Sequence, residues 1–462
     1  MKDEKTDKVV PLRQDNSEDW LAREFTMRNA HTMRYVSDWS RWMLYDGAVW
    51  QRDETMRVFD EARAICFEHA EMPRVSASDR KRLKSARTVA AVLMLARADQ
   101  RTAAVVDQWD GDPFALNCDG EVHQLDVDTF GRPAIPGDYF TKSTVIKPGG
   151  DCPLWIEFLE TVTCNDAALI DYLQRVCGYC LTGSTREQCL FFLYGTGGNG
   201  KTTFVSTISG IMGDYTRTAA IDAFSASNGD RHPTELANLQ GARLVTASET
   251  AEGRHWDETR IKTLTGGDEI SARFMRQDFF TYRPQFKLLI AGNNKPELKG
   301  VDEAWRRRMQ IIPFIADIAP AKRIRGFDEL LRAEWSGILA WMIEGARYWA
   351  ESGLRPPPAV IDATGEYLDS EDVVGGWIEE TIDFRPGDAN AYLSRQQLFA
   401  EWQIFCKNAG ERTGTRKQFM TAINRRKGFH PHKTTAGERG FRGIQFKLHK
   451  APDSEARPRF DL

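Results

Sequence analysis

The sequence contains a glycine-rich loop of the kind that binds phosphate groups. Residues 195–202 read Gly-Thr-Gly-Gly-Asn-Gly-Lys-Thr, fit the pattern G-x4-G-K-S/T, and lie between an apolar run and a helix-like run. The glycines let backbone N–H groups face phosphate oxygens, the lysine adds positive charge, and the threonine offers a hydroxyl to Mg²⁺. The predicted nucleotide-binding residues are Gly195, Gly197, Gly198, Asn199, Gly200, Lys201, Thr202 and Thr203. Kinases, transporters, GTPases and helicases share this loop, so it does not define a reaction.

Two later strand ends carry residues that suit hydrolysis. Glu249 ends the apolar run 243–249, about 50 residues after the loop. A carboxylate there can polarise an attacking water and help to hold Mg²⁺, and Glu252 is the second choice. Asn293 lies at the end of the run 286–294, where its amide can orient the same water. The plainer interpretations are an acid that caps a strand and an asparagine that forms a turn.

A cluster of three arginines precedes the apolar run 311–315. Arg306, Arg307 and Arg308 suggest an arginine finger that completes the ATP site of a neighbouring subunit. Such a finger implies a ring of subunits. The alternative is a solvated basic loop.

A β-hairpin is predicted within residues 270–285, joined at residues 276–278. It carries two arginines, Arg273 and Arg276, and three aromatic residues, Phe279, Phe280 and Tyr282. Such a hairpin presents cations to phosphates and rings to bases of single-stranded DNA. An inert hairpin with its aromatic rings in the core is the alternative.

Buried apolar runs at 190–194, 243–249 and 286–293 alternate with helical stretches, which predicts an α/β fold with a parallel sheet. A short β-like region is predicted at 114–130, and a long amphipathic helix at 327–350. The predicted organisation is a tail (1–17), a mainly helical N-terminal domain (18–185), an ATPase domain (186–352), a stiff proline-rich linker (353–369), a winged-helix domain (370–450) and a second tail (451–462).

The C-terminal region differs in charge from the rest of the chain. The net charge of all 462 residues is −4, whereas residues 401–450 hold twelve Lys or Arg residues and three acids. The pattern predicts a helix capped by Ser394, a basic helix and a glycine-containing hairpin, in the order of a winged helix. Lys417, Arg425 and Arg426 are the predicted contacts to DNA phosphates. A basic face that only stabilises a ring is the alternative.

Composition excludes several other classes. The longest apolar run, Val89 to Ala96, is too short to span a membrane. The charged N-terminus lacks the apolar region of a secretory signal, so we expect a cytoplasmic protein, without membrane contacts. The eight cysteines suit a reducing compartment. Cys177 and Cys180 are interpreted as core thiols, with a metal site as the alternative.

The order of these motifs resembles that of the superfamily 3 helicases. The resemblance rests on residues 195–203, 243–253, 261–298 and 302–314. It is closest to the phage and plasmid primase-helicase group, which is related to the poxvirus primase-helicase. The region upstream of the loop is similar to the helical domain that precedes the ATPase in that group, so the resemblance covers roughly residues 35–315.

This resemblance implies an AAA+-like P-loop ATPase core that acts as a hexameric ring on single-stranded DNA, moving 3′ to 5′. It implies that Lys201 and Thr202 hold the nucleotide and Mg²⁺, that Glu249 is the acid of the second motif and that Asn293 is the sensor. The group often has two adjacent acids in that motif, whereas Ser248 precedes Glu249 here. The metal is then held by Thr202 and Glu249.

The position of the finger within the arginine cluster stays open. Counting back from residues 312–314 favours Arg307 or Arg308, and counting from the tryptophan at 305 favours Arg306 or Arg307.

The resulting hypothesis is an ATP-dependent replicative DNA helicase of a mobile element, working in a bacterial cytoplasm. Its partners are single-stranded and duplex DNA, further copies of itself and a separate primase. One alternative is a bifunctional primase-helicase that uses the D-x-D pair Asp126 and Asp128. Others are an origin-binding initiator that uses ATP as a switch and unwinds little, and a P-loop kinase or metabolic ATPase.

Overall fold

The computed structural model describes most of the chain. The described residues are 16–73, 75–226, 234–249, 255–276, 278–298, 301–319, 324–388, 390–411, 413–424, 426–435 and 437–447. The contacts divide the chain into two units. The first comprises Met1–Pro296 and Arg307–Ile361, and the second comprises Glu297–Arg306 and Asp362–Leu462.

The N-terminal part of the first unit combines helices with small sheets. Its helices are α1 (Glu18–Asn29), α2 (Arg57–Ala70), α3 (Ala77–Leu83), α4 (Ala86–Ala96), α5 (Pro153–Val162) and α6 (Ala167–Leu181). Its strands are β1 (Met33–Val36), β2 (Arg41–Tyr45), β3 (Trp50–Arg52), β4 (Ala103–Ala104), β5 (Ala115–Cys118), β6 (Glu121–Gln124) and β7 (Arg132–Pro133). One sheet has the order β3-β2-β1-β4, and another has the order β5-β6-β7. The sequence pattern predicts only the second sheet, because the strands of the first are short and lack a long apolar alternation.

The rest of the first unit is built on a parallel sheet. Its elements, two of which continue into the second unit, are β8 (Leu190–Tyr194), α7 (Lys201–Met212), β9 (Thr216–Thr218), α8 (Thr234–Ala237), β10 (Leu244–Glu249), α9 (Glu258–Gly266), β11 (Ile270–Ala272), β12 (Phe280–Tyr282), β13 (Lys287–Gly292), α10 (Glu303–Arg308), β14 (Met309–Pro313), α11 (Phe327–Ala333), α12 (Trp335–Ser352) and α13 (Pro358–Ser370). Within the described residues the sheet has the order β14-β8-β13-β10-β9, and every pair is parallel. All of β13 and most of β8 are buried, as in a sheet covered on both faces. The predicted α/β fold class is confirmed.

Helices α5, α6 and α12 form one tightly packed face of this unit. A Cβ atom at Gly178 of α6 would overlap the backbone of α12 at Gly345 and Ala346, so the two helices touch through their backbones. The carboxylate of Glu334, just before α12, accepts hydrogen bonds from the backbone N–H groups of Leu154 (3.0 Å) and Trp155 (2.9 Å). This cap fixes the start of α5, which faces the candidate site described below.

Two predicted segments differ from the structure. The long helix predicted for 327–350 is two helices, α11 and α12, separated at Glu334, whose side chain caps α5. The segment 353–369, predicted as a stiff linker, contains most of α13. Pro358 is the first residue of that helix, a position where the missing N–H has no intrahelical partner to lose.

Two cations are buried where the central strands begin. Arg243 donates to the carbonyl oxygens of Leu181 (2.7 Å) and Ala115 (2.8 Å). Lys287 donates to the carbonyl oxygens of Thr182 and, at 3.2 Å, of Gln285. Residues 181 and 182 lie at the C-terminal end of α6, so both cations face the negative end of a helix dipole. They join α6 to the sheet without a carboxylate partner in the described residues.

Lys287 gives folding a pH dependence that can be measured. Burial lowers the pKa of Lys287 to about 7, against 10.5 for a free lysine. Between these values the unfolded chain binds a proton that the folded chain lacks, so the free energy of unfolding rises with pH by up to about 1.4 kcal/mol per unit. Below about pH 7 the lysine is charged in both states and the cost of its burial is fully present. Wild type is therefore expected to gain about 1 kcal/mol over Lys287→Met between pH 7.5 and 8.5.

Urea unfolding of both proteins at the two pH values measures this difference. Titrating groups away from Lys287 are common to both proteins, so the comparison isolates Lys287 together with the two thiols coupled to it, Cys180 and Cys189. Equal pH dependence of wild type and Lys287→Met would contradict the assignment of a neutral buried lysine.

The second unit begins its own core after α13. Its elements are α14 (Val373–Thr381), β15 (Ile382–Phe384), β16 (Tyr392–Ser394), α15 (Arg395–Ala409), α16 (Arg416–Asn424), β17 (His430–Lys433), β18 (Arg439–Arg442) and β19 (Ile444–Phe446). Antiparallel pairing joins β16-β18-β17, and β15 pairs with β19. Ser394 caps α15 through the backbone N–H of Gln397, as predicted. The core contains Trp377, Trp402 and Phe419, and the last two rings stack at 5.0 Å.

The cysteine pair at 177 and 180 is buried within a helix. Cys177 and Cys180 lie inside α6, and burial raises the pKa of both thiols. In the described part of the chain no group of three or more His, Cys, Asp or Glu residues is arranged to hold a metal ion.

Among the helices described, none has the length and apolar character needed to cross a membrane.

Candidate nucleotide-binding site

The parallel register brings the candidate residues to one edge of the sheet. Tyr194 at the end of β8 pairs with Gly292 at the end of β13, which in turn pairs with Glu249 at the end of β10. Gly195 follows the first of these positions and Asn293 follows the second. The structure thus places the loop, the backbone of Glu249 and Asn293 side by side. The side chain of Glu249, and Glu252 altogether, lie outside the described residues.

The loop between β8 and α7 needs its glycines at specific positions. Gly198 and Gly200 both have φ of 85°, a left-handed conformation that favours glycine. A Cβ atom at Gly195 would overlap the carbonyl oxygen of Phe314, and one at Gly200 would press on Val162 and Phe158. The loop therefore lies against its neighbours with no room for side chains at these two positions.

Lys201 and Asn199 are held by the loop itself. The Lys201 ammonium group donates to the carbonyl oxygen of Gly195 (2.6 Å), to that of Thr196 (3.2 Å) and to Oδ1 of Asn199 (2.8 Å). The other end of the Asn199 amide donates to the carbonyl oxygen of Phe314 at 2.5 Å. Burial lowers the pKa of Lys201, and an anion beside the ammonium group would oppose that shift.

A cavity of about 770 Å³ opens on this edge of the sheet. Its polar side is lined by Gly197, Gly198, Asn199, Gly200, Lys201, Thr202, Thr203 and Asn293. The other side is lined by residues of α5 and of the segment that leads into α11. Phe158, Ile318 and Phe327 form an apolar wall there, and the acidic residues Glu157 and Asp317 also line this side. The rings of Phe158 and Phe327 lie 5.7 Å apart. One concave site therefore combines phosphate-type donors with an apolar wall.

Sequence reasoning missed this apolar wall. Phe158 and Phe327 are separated from the loop by many residues along the chain, and each belongs to an ordinary amphipathic helix. Their periodicity predicts burial and carries no sign of a ligand. The glycine at 200, which admits Phe158 beside the loop, is the one local signal.

The three arginines at the start of β14 have different environments. Arg306 pairs with Asp369 at 3.1 Å within the second unit. Arg308 donates from Nε to the hydroxyl of Thr265 at 3.2 Å. Arg307 is exposed, and no hydrogen bond or ion pair of its side chain exists among the described residues. Arg307 is thus the least constrained member of the cluster.

The cluster lies at the opposite edge of the sheet from the loop. In the β14 and β8 pair, Met309 is in register with Leu190 and Pro313 with Tyr194. Arg308 precedes Met309, so it is five residues, or about 16 Å, from the level of the loop. Within one chain the structure does not bring Arg307 and Arg308 together with Lys201.

The predicted hairpin is formed by β11 and β12. Arg276 lies in its exposed turn with φ of 62°, and Gln277 lies outside the described residues. The Arg273 guanidinium lies 4.7 Å from the ring of Phe279, which is 59% exposed. Tyr282 instead faces inward and donates to the carbonyl oxygen of Leu236 at 2.6 Å. The turn therefore presents two cations and one ring to solvent.

The remaining predicted residues are not all available for a ligand. Arg426 forms a double hydrogen bond with the buried carboxylate of Asp372, which also caps α14. Lys417 is exposed on α16, and Arg425 lies outside the described residues. Of the D-x-D pair, Asp128 forms an ion pair with Arg347 of α12 at 2.7 Å.

Comparison with known proteins gives matches over both parts of the first unit. A family model described as D5 N terminal like matches residues 19–164, and a family of unknown function (DUF5906) matches residues 193–308. A protein of Acanthamoeba polyphaga mimivirus, provisionally named a helicase, is 25% identical over 47% of this chain and 25% of its own length. A protein of Frog virus 3 (isolate Goorha), with the same provisional name, is 25% identical over 48% of this chain and 25% of its own length.

The chain is similar to viral proteins of the primase-helicase kind. The resemblance predicted from the sequence is thereby confirmed. The chain spans about a quarter of the length of the viral relatives that it matches. The solved apo structure of the NrS-1 C-terminal region superposes on this chain with a TM-score of 0.52 at 11% identity, covering 94% of this chain and 100% of that one. This likeness shows a shared fold.

Proposed function

We propose that this chain is the ATP-dependent motor of a replicative DNA helicase of superfamily 3, from a mobile element. The observation that supports it is the meeting of Lys201, the end of β10 and Asn293 at one edge of a parallel sheet, beside a cavity of about 770 Å³. Nucleotide ligands of α/β proteins bind at this edge, beyond the carboxyl ends of the strands.

The residues present fit a nucleoside triphosphate. No side chain caps α7 among the described residues, so the first N–H groups of this helix are available to phosphate oxygens. The Lys201 ammonium group, which now donates to carbonyl oxygens of its own loop, would exchange them for oxygens of the β- and γ-phosphates. The apolar wall with Phe158 and Phe327 suits the base. We therefore propose ATP as the substrate.

Mg²⁺ fits the same edge of the sheet. Thr202 is exposed at the first turn of α7 and lines the cavity, so its hydroxyl is accessible to a metal ion. Glu249, whose backbone ends β10, is proposed to contribute a carboxylate, and hydroxyl and carboxylate oxygens are the ligands that Mg²⁺ prefers. When bound, Mg²⁺ neutralises charge that develops on the phosphates. Asn293 is proposed to orient the attacking water through its exposed amide.

Hydrolysis is proposed to occur between subunits of a ring. Arg308 lies about 16 Å from the level of the loop along β14, and Arg307 precedes it, so both suit the site of a neighbouring copy rather than their own. A head-to-tail arrangement that repeats this contact closes into a ring. A hexamer that moves 3′ to 5′ on single-stranded DNA is the arrangement we propose. A separate primase is the partner we propose for it.

The deciding experiment measures ATP turnover with and without single-stranded DNA, together with strand displacement and particle imaging. We expect DNA-stimulated hydrolysis, unwinding and ring-shaped particles. Hydrolysis without stimulation and without unwinding would contradict a helicase. Little hydrolysis with ATP-dependent assembly would support an initiator that uses ATP as a switch.

The hairpin turn is expected to couple hydrolysis to DNA. Arg276→Asn removes the cation and keeps a residue that tolerates positive φ. We expect basal ATP turnover within about twofold of wild type, but a loss of about tenfold or more in DNA-stimulated turnover and unwinding, because base stacking and phosphate contacts bind single strands. The matched control is Arg283→Asn, at the base of the same hairpin in an exposed ion pair with Glu269. Normal unwinding by the Arg276→Asn variant would assign the DNA contact to other residues.

A further inference from the structure

The second unit contains a basic cleft of about 560 Å³ between the start of α15, α16 and the β17–β18 hairpin. Its charged lining consists of Arg395, Arg416, Lys417 and Arg439, with Glu438 as the one carboxylate among the described residues. Only Lys417 among these cations is predicted from the local charge of the sequence. The others come together because three separate elements meet at the cleft.

The Arg395 side chain contributes a buried hydrogen-bond donor to the cleft. Its Nε atom is buried and has no hydrogen-bond partner among the described residues. Its guanidinium lies 6.0 Å from the centre of the Phe441 ring, which is fully buried. A buried donor without a partner destabilises a folded protein, so a ligand that accepts a hydrogen bond from it would offset that cost.

The other cations of the cleft are also available. Arg416, Lys417 and Arg439 are exposed, and none of them forms an ion pair within the part of the chain that the structure describes. In contrast, Arg426 of the same unit is held by Asp372. Structural cations in this unit thus have acidic partners nearby, whereas the cations of the cleft face solvent together.

The orientation of α16 is fixed by packing. Its inner face buries Phe419 and Ile423, and the Phe419 ring stacks on Trp402. The opposite face therefore turns Thr421 and Asn424 toward the cleft, between the cations. Helical residues three or four apart lie on the same side, so the burial of Phe419 and Ile423 places Thr421 and Asn424 away from the core.

The chemistry of the lining selects the kind of partner. Guanidinium and ammonium groups around a concave surface bind phosphate oxygens. Sites for single strands add aromatic rings on which bases stack, but none of the described residues that line this cleft is aromatic. We propose that the basic cleft binds the sugar–phosphate backbone of duplex DNA, with the polar face of α16 turned to the groove. This inference deepens the proposed function, since it rests on a chain that acts on DNA.

The test compares two double variants of the full chain. Arg395→Gln with Arg439→Gln removes two cations of the cleft, and Lys407→Gln with Lys427→Gln removes two exposed cations of the same unit outside it. Fluorescence anisotropy with a labelled DNA duplex is measured over a range of salt concentrations. The cleft variant is expected to flatten the slope of log affinity against log salt by about 2, and to bind on the order of 50-fold more weakly at about 0.1 M salt. The control is expected to stay near wild type.

A second cleft variant distinguishes a lost DNA contact from misfolding. Lys417→Gln with Arg439→Gln changes only exposed side chains, so a loss of binding with an unchanged thermal unfolding curve supports direct contact. Wild-type affinity and salt slope in both cleft variants would overturn the proposal. So would an equal loss for a single-stranded oligonucleotide, because the cleft would then not select duplex DNA.

ATP turnover of the same proteins separates this inference from the proposed function. The cleft variants are expected to keep wild-type basal turnover, because the cleft contains none of the residues assigned to ATP. If no protein hydrolyses ATP but the cleft variants lose duplex binding, the cleft stands and the motor function fails. If turnover is normal and duplex binding does not depend on the cleft, the cleft assignment is wrong.

Discussion

The Lys201→Ala variant is expected to lose ATP hydrolysis by about 10²–10³-fold, the usual loss when one donor to a developing negative charge is removed. The ammonium group is the one cationic side chain among the described residues that line the cavity at the loop. Its hydrogen-bond partners are atoms of its own loop, so its removal leaves the sheet and its register unchanged. Steady-state turnover at saturating ATP and Mg²⁺ measures the effect.

The matched control is Lys147→Ala, an exposed lysine that does not line the cavity. Both variants should unfold within about 2 °C of wild type, because Lys147 is exposed and the buried Lys201 ammonium group bonds only to atoms of its own loop. Turnover of Lys201→Ala equal to that of Lys147→Ala would remove the loop from the active site. A large fall in thermal stability of Lys201→Ala alone would show that its bonds to the loop are structural.

The sequence predicts the strands at the site well because each feature there is local. The runs that become β8, β10 and β13 are continuous and apolar, as strands buried on both faces must be. Gly198 and Gly200 adopt the positive φ that the loop pattern implies. Given parallel strands, residues that follow their carboxyl ends necessarily meet at one edge, so Gly195 and Asn293 lie near each other.

The parts that sequence does not predict depend on contacts between distant segments. Arg243 and Lys287 precede apolar strands, where a charged residue ordinarily marks an exposed strand end, and they are buried because α6 ends above them. Arg426 looks like its basic neighbours in the sequence, yet a carboxylate at 372 fixes it. The charge of a segment predicts that cations are present, but only the packing decides which of them a ligand can reach.

The Arg307→Ala variant is expected to lose about 10³-fold in turnover when it is assembled alone, the lower end of the effect of an arginine finger. Arg306→Ala and Arg308→Ala should lose less, because the first side chain is held by Asp369 and the second by Thr265. Arg307 lies at the far edge of the sheet, away from the loop of its own chain. Its effect must appear in the site of a neighbouring subunit.

Mixed assemblies test whether Arg307 acts in the ATP site of a neighbouring subunit. In a ring made from equal amounts of Lys201→Ala and Arg307→Ala subunits, about a quarter of the interfaces join an intact loop to an intact arginine. Turnover should therefore recover to about a quarter of wild type, although each variant alone is nearly inactive. Mixing Lys201→Ala with a double variant that carries both changes should restore nothing, because no interface then has an intact loop beside an intact arginine. If the first mixture also stays inactive while native mass spectrometry shows mixed rings, Arg307 acts within its own chain or not at all. Action within its own chain would require β14 to shift until Arg307 reaches the loop. Such a shift would break the parallel pairing of β14 with β8.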